Sequence, residues 1–135
     1  MVNHNDEQEK LLLQYRLELQ MAESAFGLEH PNTATAYNNL GVIKEKIGDY
    51  QSALTNHLTA LNIREKTLDK THPDIAQSCN NIASCCAKLG NNKEVVDYFN
   101  KAIEIYKAHD MPELATIYGN LGIYYLHIGN EDEFI

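Results

Sequence analysis

Apolar residues recur at helical spacing along most of the chain. Ile75, Cys79, Ile82, Cys86 and Leu89 follow one another in steps of four and three, which puts them on one face of a helix. Leu114, Tyr118, Leu121, Tyr125 and Ile128 repeat the pattern. Tyr37, Leu40 and Ile47 give it again, with Lys44 interrupting. Two intervening stretches carry Ala53, Leu54, Leu58 and Leu61, then Val95, Phe99, Ala102 and Ile103. No window alternates apolar and polar residues long enough to suggest a strand. The expected fold class is all-α.

The helical pattern is itself periodic. His30-Pro31 returns as His72-Pro73, Asn38-Asn39 as Asn80-Asn81 and Gly48 as Gly90, each at an offset of 42. Pro112, Asn120 and Gly129 then follow Pro73, Asn81 and Gly90 at 39. All three markers share the shorter step, so residues are missing before Pro112, near Ala108-His109-Asp110. Proline suits the first turn of a helix, where its missing N–H would be unpaired anyway. Asn32, Asp74 and Glu113 follow the prolines, and acids there suit the positive end of the helix dipole. Gly48, Gly90 and Gly129 are expected to stop each first helix in a left-handed turn. A second helix follows each of them. Small residues (Gly41, Ala83, Gly122; Ala60, Ala102) mark close helix contacts. Leu19 to Phe26 aligns with Leu61 to Leu68 at 42, so residues 7–29 read as a second helix without its first. Residues 30–71 and 72–110 are full repeats. Residues 111–135 are an incomplete third, ending in the start of a second helix at Asn130 to Ile135. The whole, 1–135, is expected to be one domain.

These residues resemble the tetratricopeptide repeat (TPR) family. Tyr37, Leu40-Gly41, Gly48-Asp49-Tyr50, Ala53 and Ala60 follow its signature, and Tyr118, Leu121-Gly122, Tyr125 and Gly129 follow its first half. The middle copy departs with Cys79, Ala83, Cys86, Asn92 and Val95. The 42-residue period, the His-Pro starts, the Asn-Asn centres and Leu61 to Leu68 are similar to the kinesin light chain subclass. The long heptad coiled coil of a kinesin light chain is not in this sequence. The resemblance implies a right-handed α-solenoid, a superhelix of antiparallel helix pairs, with the first helices lining a concave surface.

At about 100° per residue, Thr35, Asn38, Val42 and Lys46 share a stripe away from Tyr37, Leu40 and Ile47. Gln77, Asn80, Ser84 and Lys88 form the second stripe, and Thr116, Gly119, Ile123 and His127 the third. A mostly polar stripe beside a core stripe suits a peptide groove. The family resemblance gives Asn38 and Asn80 the role of pairing with a peptide backbone, with Asn39 and Asn81 as the other candidates. The competing role for these asparagines is to tie helix to helix. Gly119 puts a third rung in doubt. Lys46 and Lys88 could receive an acidic ligand.

Charge narrows the partners. The chain of 135 residues has 44% apolar and 22% charged residues and a net charge of −8. Residues 1–30 hold six acids and two bases, residues 108–135 five acids and no base, and the middle is nearly neutral. This disfavours a nucleic-acid backbone partner. No apolar run reaches the roughly 20 residues needed to span a membrane. The polar, acidic start lacks a signal-peptide pattern.

Candidate chemistry changes the picture little. Cys79 and Cys86 lie about 10 Å apart along a helix, beyond the roughly 7 Å that a disulfide allows. Cys79, Cys85 and Cys86 lack zinc-site spacing, and free thiols fit a reducing, cytoplasmic setting. His30 and His72 belong to the helix starts, and His57 is expected to pack as a ring. Nucleophile elbows, phosphate loops and His-Glu-x-x-His are absent. The expectation is a protein without catalysis, cofactor or metal: a scaffold or adaptor that binds a protein or short peptide segment. The alternatives are a self-assembling unit, pairing through uncapped ends, and a fragment of a larger regulatory protein. An open side is expected on Leu114, Tyr118, Leu121 and Tyr125, which need a following helix to cover them.

Overall fold

Backbone capping, more than helix propensity, sets where the helices begin and end. The computed structural model describes residues 4–133. Among these, six helices account for the regular structure: α1 (His4–Phe26), α2 (Pro31–Ile47), α3 (Tyr50–Thr67), α4 (Pro73–Leu89), α5 (Asn92–Ala108) and α6 (Glu113–Glu133). Pro31 and Pro73 open α2 and α4 as the sequence predicts. Each is preceded by a histidine cap. His30 Nδ1 accepts from Asn32 N, and His72 Nδ1 from Asp74 N, both at 3.0 Å. One orphan donor of the first turn is satisfied each time. Gly48 and Gly90 close these helices at φ 93° and 79°, where a side chain would be strained.

The third copy departs from expectation. α6 does not stop at Gly129 but runs on to Glu133, so residues 130–133 extend a first helix and do not start a second one. A glycine costs a helix only about 1 kcal/mol, and no turn forms at Gly129 to interrupt the hydrogen-bond ladder. Phe134 and Ile135, the end of the expected second-helix start, lie outside the described residues. Met111 stands where the other copies have a capping histidine, and α6 begins at Glu113, one residue after its proline.

The helices form two compact units, divided between Lys70 and Thr71, one residue before the boundary of the repeats 30–71 and 72–110. In the first, α2 packs between α1 and α3. Ala34, Ala60 and Ile63 form a buried cluster with Tyr37 against it. Thr33, fully buried, donates from Oγ1 to Gly27 O at 2.7 Å and ties the start of α2 to the end of α1. Two residues placed on core stripes are exposed: Ile47 and Leu58, each about two-fifths accessible. Buried polar residues fill α3 beside Leu58: Asn56, His57 and Arg64.

In the second unit, α4 packs on α5, and α6 on both. Ile75, Cys79, Ile82 and Cys86 are buried, as the spacing predicts, and Cys85 is buried with them. Val95, Phe99 and Ala102 supply the α5 side. Asp110, at φ 50°, closes the short link after α5, and His109 Nε2 pairs with Thr71 O at 2.7 Å. On α6 the buried residues are Ile117 and Tyr124, while Tyr118 and Tyr125 of the expected core stripe are half exposed. Leu114, Leu121 and Ile128 are intermediate. The face of α6 toward α5 is covered, and the adjacent face has no helix over it among the described residues.

Candidate functional site

The three polar stripes sit on α2, α4 and α6, the helices that open with the prolines. On α2, Thr35 and Lys46 are exposed, Val42 is half-buried and Asn38 is buried. The Thr35 hydroxyl donates to Pro31 O at 3.2 Å, one turn back. On α4, Gln77 and Lys88 are exposed, and Asn80 and Ser84 half-buried. Asn80 Oδ1 accepts from Asn120 Nδ2 at 3.3 Å, so this side chain links α4 to α6. On α6, Thr116, Gly119, Ile123 and His127 are exposed. Exposed ends and a half-buried or buried asparagine thus recur on α2 and α4, and the third stripe has no counterpart of that asparagine.

Behind the stripes, polar groups join first helices to their neighbours. Lys44, which breaks the apolar pattern of α2, donates from Nζ to Ser52 Oγ at 2.7 Å and Asn56 Oδ1 at 2.8 Å. Burial, with the charge of Arg16, holds its pKa below the usual lysine value, and Asp49 opposes the shift. His57 is fully buried, its Nε2 2.8 Å from Glu45 Oε1. Its Nδ1 is buried without a hydrogen-bond partner. Tyr37 donates from its hydroxyl to Glu23 Oε1 at 3.0 Å. Burial, that hydrogen bond and the Glu23 charge raise its pKa. The Cys86 thiol is pushed up by burial and by Glu94, which makes it a poor nucleophile at neutral pH.

A family model described as tetratricopeptide repeat matches residues 14–66 and 43–108. The chain belongs to the tetratricopeptide repeat family. Its structure is similar to the crystal structure of BtubC (BKLC) from P. vanneervenii, with a TM-score of 0.80 and 22% sequence identity. The match covers 91% of this chain and 50% of BtubC, so this chain spans about half of that protein's length. A search of curated proteins gives no match. The fold is that of an all-α TPR solenoid built from antiparallel helix pairs. TPR domains mediate protein–protein interaction and scaffolding. Among the described residues no helix is long and apolar enough to cross a membrane.

Several residues of these TPR helix pairs escaped the reading of the sequence. The Lys44–Asn56 and His57–Glu45 pairs lie 12 residues apart in sequence, and polar residues at those spacings carry no helical signature. A signal existed for one of them. Gly41 sits where a first helix meets its second, and its lack of a side chain makes room for the His57 ring.

Proposed function

We propose that this TPR protein is a non-catalytic scaffold or adaptor of the kinesin-light-chain-like subclass that binds a protein or short peptide along the stripes of its first helices. The observation that supports this reading is the repeated makeup of α2 and α4. Each presents exposed polar residues, Thr35 and Lys46 or Gln77 and Lys88, while its opposite face is buried in a helix pair. Lys46 and Lys88 are exposed cations on the two stripes and give them a preference for acidic ligands. Asn38 and Asn80 would meet the ligand backbone. Asn80 already accepts from Asn120, which leaves its amide N–H groups for a ligand carbonyl. A protein with reduced thiols of this kind is proposed to act in the cytoplasm.

The test is a peptide library selected against the wild-type protein, followed by titration of the selected peptides. Lys46→Glu with Lys88→Glu should weaken acidic peptides roughly tenfold or more with helical content unchanged, since both side chains are exposed. Asn38→Ala with Asn80→Ala should abolish binding, again with helical content retained. Selected peptides that bind all variants like wild type would sink the groove assignment.

A further inference from the structure

Asn80 of α4 and Asn120 of α6 are joined by one hydrogen bond, donated by Asn120 Nδ2 to Asn80 Oδ1 at 3.3 Å. Both side chains are half-buried. An amide carries one carbonyl oxygen and one NH2 group, so this bond engages the acceptor of Asn80 and a donor of Asn120. The N–H groups of Asn80 and the carbonyl oxygen of Asn120 remain. Among the described residues the buried side-chain atom without a partner is His57 Nδ1, so these groups reach solvent. Asn38, at the repeat position of Asn80 on α2, is only 5% exposed. The accessible amides thus lie on α4 and α6.

Gly119 stands next to Asn120, at the repeat position that Asn80 holds on α4. It is exposed, and a Cβ there would meet nothing within 4 Å. Where the first two stripes carry an asparagine, the third carries no side chain, and a ligand main chain can come close to Asn120. We propose that Asn120 is the positioning residue of this rung: it turns the N–H groups of Asn80 toward the ligand and adds an acceptor of its own, so that the pair takes an extended stretch of polypeptide. The proposal rests on the reading that the first helices bind a peptide.

The leftover groups, one donor and one acceptor on bonded amides, match the C=O and N–H of a main chain. In an extended segment those groups are open to an outside partner. In a helical ligand they are already paired along the helix, so a helix gains nothing from this rung. Asn120 also fixes the direction of the match. The reverse bond, from Asn80 Nδ2 to Asn120 Oδ1, would turn the Asn80 carbonyl outward and leave an acceptor on α4. A carboxylate at position 120 would enforce that reverse bond, since it can only accept. The link between α4 and α6 would survive, and the face offered to the ligand would change.

The experiment follows the assigned side-chain amide signals by nuclear magnetic resonance in wild type, Asn120→Ala, Asn120→Asp and Gly119→Leu. Without ligand, the wild-type Asn120 amide should show one proton protected from water and Asn80 none, and in Asn120→Asp the protected proton should move to Asn80. A protected Asn80 in wild type would overturn the proposed direction. Two blocked, uncharged peptides are then titrated: an oligoglycine, and an oligosarcosine whose methylated nitrogens cannot donate. Wild type should bind the oligoglycine roughly fivefold more tightly, since only it can donate to Asn120. Asn120→Ala should abolish that difference. Asn120→Asp should weaken the oligosarcosine roughly tenfold or more, because both offer acceptors only, with circular dichroism unchanged. Gly119→Leu should weaken both peptides. Unchanged affinities in folded Asn120→Asp, or amide signals that neither peptide moves, would overturn the proposal. Library-selected peptides that still depend on Lys46 and Lys88 would in that case keep the groove reading, and selected peptides indifferent to those lysines and to Asn38 and Asn80 would remove it too.

Discussion

A methyl group on Gly41 would lie 2.7 Å from Cε1 of His57. That ring is fully buried, held by Glu45 on one nitrogen and by packing elsewhere, so it cannot step aside cheaply. Gly41→Ala should therefore destabilise the fold by about 1–3 kcal/mol through overpacking. The equivalent Gly122 is open, and Gly122→Ala should stabilise by roughly 0.5–1 kcal/mol, since alanine is the better helix former. Urea unfolding of both variants checks the pair. Equal effects at the two positions would show that the His57 ring yields.

Lys44 and Asn56 give a second comparison. Removing the cation by Lys44→Met leaves the buried Asn56 oxygen short of a donor, at a cost of about 1–3 kcal/mol. Lys44→Met with Asn56→Leu replaces both partners by apolar groups and should recover much of that loss. Thermal melts that show the double variant as damaged as the single one would mean that packing, not the hydrogen bond, sets the cost.

Tyr37 makes stability fall at alkaline pH. Its phenol pKa is raised in the folded state by burial, by the hydrogen bond to Glu23 and by that carboxylate's charge. The unfolded phenol loses its proton near pH 10 and the folded one later, so the folded state binds more protons in that window. The Tyr37 contribution is complete below pH 10 and is lost as pH climbs through the raised value. Wild type should thus lose stability relative to Tyr37→Phe above pH 10. Parallel curves from pH 8 to 11 would place the hydroxyl outside the Glu23 contact.

All three cysteines are buried, and none is in a disulfide. A thiol-specific chromogenic reagent should react slowly with the native protein and with all three thiols in guanidinium. Cys86 should remain slow even at mildly alkaline pH, because burial and Glu94 hold its thiol protonated. Rapid labelling of the native chain would show that α4 opens readily.

The two His-Pro starts were legible because each residue acts locally. Proline opens the helix, and the histidine before it caps a donor two residues on. The Cys79–Cys86 stripe was legible because every step of it faces the same way. Periodicity tells which face of a helix is apolar, and it is silent on whether a neighbour exists to cover that face. Tyr118 and Tyr125 have the spacing of core residues and are half exposed, with no helix over them among the described residues. Leu58 has the type and spacing of a core residue and is exposed. The buried positions beside it belong to Asn56 and His57, whose partners, Lys44 and Glu45, sit on another helix. Gly129 carries the same residue as two true stops, but in α6 it stays inside the helix. Asn38 and Asn80 share a repeat position, yet one is buried and the other half-buried against Asn120, a difference of surroundings that the repeat alone does not encode.

Within each unit, helices pack on partners that adjoin them in the chain or lie one helix further on. Such local pairings require little loop-closure entropy before they are rewarded. Helical chains of this topology reach the native state in about microseconds to milliseconds. Speed has a counterpart in endurance. A helix fastened along a single side opens without disturbing the others, so amide exchange should erode α6 well before α4, and a protease should find the chain there first.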